Sequence, residues 1–113
     1  MDEITQLAER LGKAIAASPE ATRLRKAREA MDAAEDVSKT LEEYRDQSEK
    51  VARLEAENKP VEVDDKHRLR DLHAKLVSSD VFKQFTAAQV DYVDMMRKVN
   101  GALQDPLADT EKD

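Results

Sequence analysis

Between Pro19 and Pro60 the chain contains neither glycine nor proline, and this stretch of roughly forty residues limits the fold more than anything else in the sequence. Ser18 is a good N-cap and Pro19 suits the first helical position, where a missing N–H costs nothing. Asn58 can take the left-handed conformation that terminates a helix, and Pro60 blocks continuation. The spacing therefore predicts one helix over about 19–57, roughly 60 Å long at 1.5 Å per residue. Its apolar positions, Leu24, Ala27, Met31, Ala34, Val37, Leu41, Tyr44, Val51 and Leu54, are mostly three or four apart, with Ser48 in the polar slot. A seam this narrow calls for another long helix as its partner.

The rest of the chain supplies three shorter helices. Asp2 is a plausible N-cap for a helix over 3–17 that carries Ile4, Leu7, Leu11 and Ile15 on one face. Lys59 to Val63 form a linker, after which Asp64 or Asp65 caps a helix over about 65–77. Ser78-Ser79-Asp80 then offers a new cap for a helix over 80–103. Three of the four aromatic residues lie between Phe82 and Tyr92, which places the densest expected core there. Gly101 is a candidate stop, and 105–113, with Pro106 and little apolar content, is expected to be a flexible acidic tail. The expected architecture is all-α: a helical bundle built round the long helix, packed against the C-terminal helices, as one domain over 1–104.

Composition removes several function classes. Charged residues make up 39% of the chain and the net charge is −6, with no basic half, so nucleic-acid binding through phosphate neutralisation is not expected. There is no cysteine, which excludes disulfides, thiol catalysis and cysteine-ligated metal on this chain. The acidic start, Met1-Asp2-Glu3, is not that of a signal peptide, and no apolar run is long enough to span a membrane, so a cytoplasmic location is the expectation.

No constellation for catalysis or for a cofactor stands out. His67 and His73 are six apart, about 120° round a helix, and so do not form an i, i+4 metal pair. Adjacent carboxylates such as Glu42/Glu43 point apart on a helix. Arg23, Arg25, Lys26 and Arg28 form the one basic cluster, a candidate contact for an acidic partner or, as the alternative function, for RNA. Elsewhere, Glu35/Lys39, Asp46/Lys50 and Glu49/Arg53 stand in the favourable i, i+4 order on the long helix.

Several patterns resemble the YlbF/YmcA family of small helical bacterial proteins. They are Leu7-Ala8-x-x-Leu-x-x-Ala-Ile-x-x-Ser18, Leu41-Glu-Glu-Tyr44 within the long helix, the turn near Asn58-Lys59, and Val81-Phe-x-x-Phe-x-x-Ala-Gln-x-x-Tyr92. The resemblance covers roughly residues 3–104. It implies long antiparallel helices, homodimers or larger assemblies, and a regulatory role in competence, biofilm formation and sporulation through a complex that modulates an RNA-degrading endonuclease. Family members commonly carry glycine at the position of Asn58, and some bind an iron–sulfur cluster through cysteines; the absence of both places this chain nearer the YheA-like branch.

A non-enzymatic interaction protein is the resulting expectation, with a second copy of itself and other bacterial regulatory proteins as partners. The seam residues Leu24, Met31, Val37, Leu41, Tyr44, Val51 and Leu54 are the expected oligomer interface, because in a monomer part of that line would face water.

Overall fold

The computed structural model describes residues 2–111 and is built of helices: α1 (Glu3–Ala16), α2 (Pro19–Ala33), α3 (Glu35–Ala56), α4 (Val63–Val77) and α5 (Asp80–Glu111). The packing separates two compact units, one running from Arg28 to Phe85 and the other joining the chain up to Ala27 with the chain from Thr86 onward.

Most helix ends are set by the residues the sequence singles out. The Asp2 carboxylate accepts from the Thr5 N–H at 2.8 Å, and the Ser18 hydroxyl oxygen accepts from the Ala21 N–H at 3.1 Å while donating to the Ile15 carbonyl. Ser79 caps α5 by accepting from the Phe82 N–H at 3.3 Å. After α3, Asn58 has φ 55°, the Lys59 N–H bonds back to the Leu54 carbonyl at 2.8 Å, and the Asn58 N–H bonds to Glu55 at 3.1 Å. These two bonds are the Schellman pair that closes a helix through a left-handed residue.

The single helix expected over 19–57 is instead two. Ala34 has φ −90° and ψ 87° and sits between α2 and α3 with no side-chain cap. Alanine is the best helix former, so local propensity does not cause the break. Met31 and Thr40, on either side of it, are both buried, at 5% and 7% exposure, which points to packing as the cause. The Ser38 hydroxyl donates across the break to the Met31 carbonyl at 3.4 Å, and Glu35 and Asp36 place negative charge in the first turn of α3, where the helix dipole favours it.

Two further boundaries differ from expectation. The helix α4 begins at Val63 with Glu62 at its N-cap position, so Asp64 and Asp65 lie in its first turn and do not cap it. The helix α5 passes Gly101 and Pro106 and runs to Glu111, where a tail is expected from composition; Lys112 and Asp113, the end of that expected tail, lie outside the described residues. Pro106 has no N–H to give the Ala102 carbonyl, so α5 lacks one backbone bond there.

Within the unit from Arg28 to Phe85, α3 and α4 form an antiparallel hairpin. Leu76, at 1% exposure, is the most completely buried large side chain among the described residues, with Leu72 one turn away at 7%. This centre of packing lies outside the aromatic stretch, where Phe82, Phe85 and Tyr92 are only half-buried. In the other unit Ala88 is buried, and Leu24, Tyr92, Met95 and Val99 are half-buried.

Candidate functional site

The face that α3 turns to α4 repeats at Val37, Thr40, Tyr44, Gln47, Val51 and Leu54, alternately three and four residues apart. Two of these positions are polar, and they are the most buried residues of the helix: Thr40 at 7% and Gln47 at 6% exposure. Neither was expected in the seam, which the sequence pattern routes through Leu41 and Ser48. Both satisfy their polar atoms, as burial demands. The Thr40 hydroxyl donates to the Asp36 carbonyl at 2.8 Å, and the Gln47 side-chain amide donates to the Asp65 carbonyl at 3.0 Å.

Asp65 gathers a small polar cluster at this point. The Lys50 ammonium lies 3.0 Å from its carboxylate, and the Gln47 amide reaches the same oxygen at 3.4 Å. The hydrogen bond from Lys50 holds the Asp65 carboxyl below its ordinary value, helped by Gln47 and opposed by partial desolvation. Lys50 thus pairs across the hairpin with Asp65 at an atom 14% of whose side chain is exposed. Arg68 approaches Glu43 at 3.9 Å, and the Tyr44 ring lies 5.9 Å from the His73 ring at a 43° tilt.

Of the residues assigned to an oligomer seam, Met31 is buried, while Leu24, Val37, Leu41, Tyr44, Val51 and Leu54 are half-buried. Leu41 lies on a different flank of α3 from Tyr44 and Gln47, beside Met31 and Arg45. The basic cluster does not converge on one surface point. Arg23 approaches Asp91 at 3.6 Å, Arg25 reaches the Thr22 hydroxyl at 3.5 Å, and the Arg28 guanidinium stands 6.0 Å over the Phe85 ring. Lys26 is exposed.

The other unit presents the most open apolar surface. No residue of α1 is buried, although Ile4, Leu7, Leu11 and Ile15 form one face. That face and Leu103 of α5 line an open groove. Ile4 is 81% exposed, and Leu7, Leu103 and Leu107 are each more than half exposed. The period of α1 shows in the sequence, but whether the rest of the chain covers it depends on how far α5 reaches.

His67 and His73 are exposed on α4. Among the described residues, no three His, Asp or Glu side chains are grouped to hold a metal ion, and no helix is long and apolar enough to cross a membrane.

Residues 4–108 match the model of a family described as control of competence regulator ComK, YlbF/YmcA. The chain is also 27% identical over 106 residues to a UPF0342 protein of Desulfitobacterium hafniense (strain Y51), an alignment covering 94% of this chain and 81% of that relative.

Proposed function

Since this chain belongs to the YlbF/YmcA family of competence-control regulators, we propose that it is a non-enzymatic regulatory protein that works by binding other proteins and a second copy of itself. The observation that carries this reading is the amphipathic helix α1, which buries none of its residues. An apolar face left open on that scale marks a surface for association. Of the half-buried seam residues on α3, Leu41 is the second proposed contact, because it lies off the face that α4 covers, on which Val37, Tyr44, Val51 and Leu54 stand.

Binding of RNA through Arg23, Arg25, Lys26 and Arg28 is the weaker alternative. Arg23 is engaged with Asp91 and Arg28 with Phe85, and the chain carries a net charge of −6. An RNA titration at two salt concentrations separates the readings, because phosphate contacts would make affinity fall steeply with salt. The main proposal is tested by isolating the tagged protein from its native host and comparing it with a Leu7→Asp, Leu41→Asp variant. Defined regulatory proteins held by the first and lost by the second, with helicity unchanged, are the expected result. A protein that neither self-associates nor retains any partner sinks the proposal.

A further inference from the structure

We propose that the outer face of α4 is a docking surface for an acidic helix of a partner protein, a helix that carries carboxylates between two apolar residues four turns apart. This rests on the reading of the chain as one that works by binding other proteins, and it names the chemistry that one surface selects.

Helix α4 carries four cations and three carboxylates, and in sequence they look balanced. On the folded helix the two signs part. Asp65 turns inward, where Lys50 and Gln47 hold it, and with Leu69, Leu72 and Leu76 it forms the covered face. At about 100° per residue, Asp64 and Asp71 fall on one flank with Lys75 and Arg68, and Arg68 there approaches Glu43 at 3.9 Å. On the other flank Val63, Lys66, Arg70, His73 and Val77, alternately three and four residues apart, fall within a stripe about 80° wide. No acidic side chain of α4 stands on that stripe. Lys66, Arg70 and His73 are exposed, and Val63 and Val77 at its two ends are 65% and 42% exposed. Lys66 and Arg70 make no ion pair among the described residues. The Tyr44 ring, 5.9 Å from that of His73, supports the inner edge.

Spacing and charge together select the occupant. A stripe with a three-four repeat receives one helix laid along it. Val63 and Val77 stand about 21 Å apart at 1.5 Å per residue, and they call for apolar side chains at the same separation on that helix. Between them, two unpaired cations and an imidazole call for carboxylates. Nucleic acid is a poorer occupant. A phosphate backbone leaves the valines uncovered, and Asp64 and Asp71 on the same helix, in a chain of net charge −6, oppose a long polyanion. An anionic membrane takes a broad apolar face beneath a cationic one, and this stripe offers two valines.

The probe is a synthetic peptide five turns long, about 18 residues, with two leucines four turns apart and glutamates between them in the same three-four spacing. Titrated into the isotope-labelled full chain, it should shift the amide signals of Val63, Lys66, Arg70, His73 and Val77 ahead of all others. The Lys66→Glu, Arg70→Glu variant should bind it at least about tenfold more weakly, and Val63→Ser, Val77→Ser about fivefold more weakly, both with unchanged helicity by circular dichroism. A peptide with lysine for each glutamate should fail on the wild type and bind the charge-reversed variant. No binding of the glutamate peptide at about 1 mM, or shifts confined to Arg23–Arg28, overturns the proposal. So does tighter binding at these residues of a uridine oligonucleotide or of phosphatidylglycerol vesicles. A change of oligomeric state in the charge-reversed variant without peptide, seen by sedimentation equilibrium, makes the stripe a contact between copies and overturns it too. Should the peptide fail while the tagged wild type still holds host proteins, the associating role stands without this surface; should both fail, both readings fall.

Discussion

The side-chain amide of Gln47, at 6% exposure, donates to the backbone carbonyl of Asp65 at 3.0 Å, tying the middle of α3 to the first turn of α4. A buried amide whose acceptors, the carbonyl and the carboxylate, both belong to Asp65 fixes register, because sliding either helix by a residue carries it away from them. Hydrophobic neighbours alone would tolerate such a slip.

Gln47→Ala should therefore destabilise the protein by about 1–3 kcal/mol, from the lost bond and the space left behind. Gln47→Glu should cost more at neutral pH, since it sets a second carboxylate against Asp65. Urea denaturation at pH 7 measures both.

Acid should weaken the same junction. The folded-state pKa of Asp65 is lowered by its bond from Lys50, so its contribution is present above the unfolded carboxylate value, about 3.9, and is lost as pH falls through the lower folded value. Asp2, lowered by the Thr5 N–H, acts in the same direction. Urea midpoints followed from pH 6 to pH 2 should fall less steeply in Lys50→Met than in the wild type.

Ala34 offers a test of the break between α2 and α3. In an N-cap position serine is better than alanine by about 0.5–2 kcal/mol, whereas inside a continuous helix it is worse by several tenths. Ala34→Ser should raise the thermal midpoint. A lowered midpoint would mean that the chain runs through Ala34 as helix.

Asn58 has φ 55°, a conformation that costs a residue with an ordinary Cβ about 1 kcal/mol or more. Asn58→Gly should be neutral or stabilising, and Asn58→Ala destabilising by about 1 kcal/mol. Chemical denaturation of the pair gives the sign directly.

Residues whose chemistry acts on their own backbone could be read from the sequence. Asp2, Ser18, Asn58 and Ser79 each end or begin a helix through local bonds that do not depend on the remainder of the fold. The break at Ala34 could not be read that way, because it opposes the residue's own preference and lies between two buried residues, Met31 and Thr40. Thr40 and Gln47 were missed because polar residues in a charged helix look solvated. Their signal was the three-four spacing they complete between Val37 and Leu54. The apolar face of α1 was plain in the sequence, but its openness was not, since exposure depends on what a distant helix covers.

One of the two units is continuous in the chain and the other is not, and this sets an order of events on the ribosome. The segment from Arg28 to Phe85 can close as soon as it emerges, since its hairpin partners are near neighbours in sequence. Helix α1 is made first, yet the part of α5 in its unit is made last. At 5–20 residues per second, it waits on the order of ten seconds with its apolar face in water. Nascent chains stalled before Thr86 are thus the species most in need of a chaperone.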